Sequence, residues 1–232
     1  MDRELVLMLG TAAAVGVVHT LLGPDHYLPF VALARARGWS VVRTASITLS
    51  CGVGHVLSSL LLGVVGFAAG TAAARLEAIE SARGEWAAWA LIAFGLVYLA
   101  WGVRRASTGH GHHHLGQGRA IADLRHAAEA GQLPRPSAAA ITGWALFVAF
   151  VLGPCEPLIP LLMAPAATHG LLAAGLVTAV FGGATLATML GVVLAVRAGV
   201  ARIPVGALER WAHAAAGGAI LACGLGMRWL GF

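Results

Sequence analysis

The run VHTLLGPDHYLPFV, residues 18–31, sets His19, Asp25 and His26 around a Gly23-Pro24 pair within a stretch hydrophobic enough to enter a membrane. Imidazoles and a carboxylate are costly to hold at membrane depth, so by default they mark a substrate, ion or proton path. Proline removes a backbone donor and breaks the helix, and broken backbone in lipid is tolerated only where it is buried in protein or lines a cavity. A second break, LGPCEPL at 152–158, aligns with LGPDHYL at 22–28 and contributes Cys155 and Glu156. A helix restarting at each proline would carry Asp25 and His26, and likewise Cys155 and Glu156, in its first turn, where the helix dipole favours a carboxylate anion. His55 stands mid-run in CGVGHVLSS, between glycines that let another helix approach closely.

Mixed imidazole and carboxylate ligation suits a late first-row divalent cation better than Ca2+ or Mg2+, which prefer shells of oxygen. The expected ligand set is therefore His19, Asp25, His26, His55, Cys155 and Glu156. For Cys155 the alternative is a small residue packed at the break, and for a lone histidine it is a hydrogen-bonded structural role. No catalytic residue and no fixed cofactor is expected. The metal itself, Ni2+, Co2+, Zn2+ or Fe2+, would be the cargo. Further along, His110, His112, His113 and His114 lie in a Gly-rich, charged segment. They read as a cytoplasmic metal-buffering loop or as a low-complexity insert, on composition alone.

The elements that must position these residues follow from composition. Of 232 residues 59% are hydrophobic and 11% charged, which excludes an ordinary soluble domain and points to a protein of the lipid bilayer. The formal charge of +5 comes entirely from arginine on the basic side. Those arginines cluster between apolar runs as topology signals, so nucleic acid is not an expected partner. Cys51, Cys155 and Cys223 form no CxxC pair, which argues against a disulfide framework or zinc knuckle. The N-terminus lacks a basic leader and reads as a retained first span.

Six runs are long enough, or nearly so, to cross a bilayer: 5–34, 41–69, 86–103, 138–165, 171–196 and 207–230. Arginine is concentrated in the odd-numbered connections, which predicts that these are cytoplasmic, with both termini outside and the chain in the cytoplasmic membrane. Of the ten acids, only Asp25 and Glu156 fall deep within apolar runs. The paired LGP motifs, with Gly63-Val64-Val65 answered by Gly191-Val192-Val193, predict homologous halves at 1–103 and 138–232, flanking a His-rich loop at 104–137. The expected fold is an all-α integral membrane protein of six transmembrane helices, arranged as two inverted three-helix repeats whose broken first helices meet at the midplane. Gly66 and Gly70 have a GxxxG spacing suited to helix packing within one chain or in a homo-oligomer.

His19, Asp25 and His26 in HTLLGPDH, with the glycine-flanked His55 in CGVGHVLSS, resemble the first two spans of nickel/cobalt transporters and urease accessory permeases. The first motif of that group is His, four residues, then Asp-His; here five residues separate His19 from Asp25. The resemblance implies movement of Ni2+ or Co2+ across the cytoplasmic membrane and a His-rich cytosolic loop such as His110 to His114; a cytosolic metallochaperone is a candidate partner. The second break, GPCEPLIP at 153–160, resembles the thiol-electron conduits of the cytochrome c biogenesis and disulfide reductase type, in which each repeat carries one redox cysteine. Here Cys155 aligns with Asp25. The leading expectation is thus a secondary transporter for a divalent transition metal and not an enzyme. The alternative is a membrane thiol-disulfide electron relay, and Cys51 with Cys155 is the one pairing near the site.

Overall fold

A computed structural model describes residues 3–108, 138–202 and 206–230, apart from the side chains of 138–141 and 206–208. Among the described residues the secondary structure is entirely helical, with seven α-helices: α1 (Arg3–Leu22), α2 (Leu28–Arg37), α3 (Val41–Ala68), α4 (Ala73–Ser107), α5 (Ala138–Leu152), α6 (Leu158–Ala201) and α7 (Ala212–Leu230). Short 3-10 turns occupy Pro24–His26 and Gly206–Trp211. Four of the seven, α1, α3, α4 and α6, are long and apolar enough to cross a membrane, which makes this a multi-pass membrane protein.

This corrects the expectation of six spans in two inverted three-helix repeats. The run at 5–34 does not cross as one element, because Gly23-Pro24 divides it into α1 and a ten-residue α2 too short to span. The run at 138–165 stops at Leu152, and its remainder joins the predicted fifth span in the 44-residue α6. Within α6, Gly170 has φ 84° and ψ 174°, a conformation that only glycine adopts freely, so the helix is interrupted there and consists of two helical stretches, 158–169 with Pro165 and 171–201, meeting at a kink. The last helix, α7, is long enough, but its many small residues together with His213 and Arg228 leave it below the apolarity of a span. The segment carrying His110, His112, His113 and His114 lies outside the described residues.

The third run differs in the opposite direction. Instead of starting near Trp86, α4 begins at Ala73 and runs 35 residues, about 52 Å at 1.5 Å per residue, well beyond the roughly 30 Å hydrocarbon core. Its added N-terminal turns contain Glu80, which is fully buried. Thus, among the described residues, the most deeply buried acid is one that charge patterning placed in a loop between spans.

Glycine sets the closest helix contacts. A Cβ on Gly95 of α4 would lie 2.5 Å from the Leu221 nitrogen, and one on Gly217 of α7 would lie 2.5 Å from the Leu99 Cα, so these backbones meet directly. Gly16 brings α1 against α6 in the same way, with Phe181 O 2.8 Å from the position of a Cβ. The Gly66/Gly70 pair serves the turn between α3 and α4: Gly70 adopts φ 65°, with Thr71 N–H bonded to Gly66 O at 2.8 Å and Gly70 N–H to Phe67 O at 3.0 Å. This is a Schellman ending, which turns α3 directly into α4.

Candidate metal centre

His19 lies one turn before the end of α1, and its carbonyl accepts from Gly23 N–H at 3.1 Å, closing that helix. The chain then makes the Pro24–His26 3-10 turn, held by His26 N–H to Gly23 O at 3.0 Å, before α2 starts at Leu28. Asp25 and His26 therefore precede the second half-helix and do not occupy its first turn. Glycine is needed at position 23, since a Cβ there would lie 2.5 Å from His26 Nδ1 and 2.8 Å from Asp25 Oδ1. His55 comes from the middle of the 28-residue α3.

These three segments bring His19, His26 and His55 together, with one nitrogen of each ring within 4.8 Å of the others. Ring centroids stand 4.8 Å apart for His19–His26, 5.1 Å for His26–His55 and 6.5 Å for His19–His55. His26 and His55 are each only 3% exposed. The Phe150 ring lies 6.2 Å from that of His55 and 6.5 Å from that of His26, while Phe181 stands 6.4 Å from His19. The cluster thus has aromatic rings on one side of it, which lower the local dielectric there.

The hydrogen bonds of His26 and His55 fix the tautomer of each ring. His26 Nδ1 is 3.2 Å from Gly23 O and 3.2 Å from Asp25 Oδ1, while His55 Nδ1 is 3.3 Å from Phe150 O. Carbonyl oxygens only accept, so Nδ1 carries the hydrogen in both rings and Nε2 presents its lone pair. The Nε2 atoms of His19, His26 and His55 are all buried and without a hydrogen-bond partner. Burying one unsatisfied polar group costs about 1–3 kcal/mol, and three imidazoles with a nitrogen of each within 4.8 Å of the others form a ligand set able to hold a metal ion. Asp25 stands behind His26 and bonds its distal nitrogen, in the carboxylate–histidine arrangement that orients metal ligands.

Cys155 and Glu156, from the second break, stand outside the group of three imidazoles. Cys155 is fully buried but packs with Ala12, Leu158, Val177 and Phe181, and it is the backbone N–H that is engaged, at 3.0 Å from Glu80 Oε2. Cys51 belongs to a different packed cluster, with Phe30, Leu146 and Met189. Cys51, Cys155 and Cys223 are all free thiols. Glu156 is exposed and does not join the imidazoles; it lines a cavity of about 440 Å³ that also touches His19, Asp25, His26, Glu85 and Arg228. Comparison with protein-family models, curated proteins and solved structures found no match.

Sequence reasoning missed Glu80 and Arg83. The Glu80 carboxylate pairs with the Arg83 guanidinium three residues on and accepts from Ser59 Oγ at 3.0 Å. Arg83 Nη2 donates to Ser58 Oγ at 2.8 Å and to Val151 O at 2.7 Å. The only signal in the chain is the i, i+3 spacing of opposite charges, which identifies a helix but not a buried one.

Proposed function

We propose that the protein is a secondary transporter for a divalent transition-metal cation, Ni2+ or Co2+ foremost, bound by Nε2 of His19, His26 and His55. The convergence of three buried, unpartnered imidazole nitrogens carries this reading. Neutral imidazoles favour late first-row divalent ions and offer little to Ca2+ or Mg2+. The site needs no fourth protein ligand, because an ion in transit must also leave, whereas a structural zinc site is closed.

Two features support transport over static storage. His55 sits at mid-length in a membrane-crossing helix whose buried face also carries Thr44, Thr48 and Ser59. Polar side chains along the inner face of a span mark a candidate ion path. The cavity beside the site is lined by Asp25, Glu85 and Glu156 against the single Arg228, a balance of charge that favours a cation.

Direct metal binding tests the site. Zn2+ bound to the purified full chain should show three imidazole nitrogens at about 2.0–2.1 Å by X-ray absorption, and His55→Ala should remove one of them. Binding at unchanged stoichiometry with no imidazole in the shell would refute the assignment.

A further inference from the structure

We propose that the Glu80–Arg83 ion pair is a positioning device for His55, acting through the second helix break; this rests on His55 being a metal ligand. The pair lies on α4, two turns from its start, and does not touch the imidazoles. It joins the two elements that determine where His55 points. On the α3 side, Ser59 donates to Glu80 Oε2 at 3.0 Å and Arg83 donates to Ser58 Oγ at 2.8 Å. Ser58 in turn donates to the His55 carbonyl at 2.9 Å, one helical turn back. On the break side, Arg83 holds Val151 O at 2.7 Å and Glu80 holds Cys155 N–H at 3.0 Å.

Between those two anchors lies the acceptor that fixes the His55 ring. Phe150 O, 3.3 Å from His55 Nδ1, is the carbonyl immediately before the one Arg83 holds. Both belong to the last turn of α5, where the helix stops and its carbonyls run out of i+4 donors. Arg83 takes Val151 O, and His55 shares Phe150 O with the Gly153 N–H, which donates to it at 3.1 Å. Glu80, on the far side of Gly153-Pro154, takes a free N–H. The break is also seated sterically: Pro154 Cγ lies 2.8 Å from where a Cβ on Gly84 would stand, so α4 has no side chain at this point and the proline nests against it. With the pair intact, Phe150 O stays where it holds the proton on Nδ1 and leaves Nε2 as the ligand atom. Second-shell partners of this kind typically change metal affinity 10- to 100-fold.

The experiment uses the full chain in lipid nanodiscs, as wild type, Glu80→Gln, His55→Ala and the double variant, with Ni2+ as the probe. Glu80→Gln should weaken Ni2+ binding about 10- to 100-fold. In the His55→Ala background the same substitution should change affinity less than about twofold, because its effect runs through His55. A second readout needs no metal: 15N NMR of labelled histidines should show His55 as the Nδ1–H tautomer in wild type and as a tautomer mixture in Glu80→Gln. If Glu80→Gln does not fold, Arg83→Lys serves, since one ammonium cannot reach Glu80, Ser58 and Val151 O together; an intermediate loss is expected. Unchanged affinity and tautomer in Glu80→Gln would overturn the proposal. So would a loss of equal size with and without His55, which marks a general structural effect. If wild type binds no Ni2+, the metal reading fails by itself, and the tautomer comparison alone decides whether the pair positions His55.

Discussion

Asp25 stands beside the candidate metal cluster, next to one of its three imidazoles. Its carboxylate lies 3.2 Å from His26 Nδ1, on the side of the ring away from the unpartnered Nε2. Asp25→Asn should therefore weaken metal binding about 10- to 100-fold while leaving three imidazoles in the coordination shell. Loss of an oxygen from that shell, read by X-ray absorption, would instead make Asp25 a ligand. His19, Asp25, His26 and His55 were all legible in the sequence, because polar side chains beside a Gly-Pro break inside an apolar run have few structural reasons to be there. Cys155 and Glu156 occupy the matching motif, yet side-chain direction at a break depends on what packs around it. Around the second break the partners are Glu80 and Arg83, 70 or so residues away, and the engaged group at Cys155 is its backbone N–H.

At the scale of elements, both Gly-Pro breaks were legible, since a missing donor and a ring clash end a helix whatever the context. The two-repeat arrangement was not. Whether an apolar run becomes one span, two short helices or part of a longer helix depends on tertiary contacts that its own composition does not state. α4 is the clearest case: Glu77, Glu80, Glu85, Arg75 and Arg83 read as a polar connection, but the long helix continues through them because Glu80 finds Arg83, Ser59 and Cys155 inside the fold. The glycines of α4 and α7 matter for the same reason. Gly217→Leu should raise intrinsic helix propensity yet destabilise the protein by about 1–3 kcal/mol or more, because the new side chain meets the Leu99 backbone. Chemical denaturation in detergent checks this, and equal or greater stability would show that the α4–α7 contact is looser than described.

For the whole molecule, the bilayer and the metal site constrain each other. The exterior carries large apolar side chains such as Leu22, Val42, Leu61, Val97 and Leu172, each more than half exposed, as lipid contact requires. The interior carries the His cluster, the α3 polar stripe and a cavity with three carboxylates. Such polar groups face the inside of the bundle and not the lipid, as their cost in hydrocarbon requires. The most direct test is uptake of Ni2+, Co2+, Zn2+ and Fe2+ into proteoliposomes, comparing wild type with His26→Ala. Flux of Ni2+ or Co2+ in wild type, reduced to the level of empty vesicles in His26→Ala, is the expected result. Equal flux in the two proteins, or no flux of any of the four ions through folded and inserted wild type, would contradict a transporter built on this site.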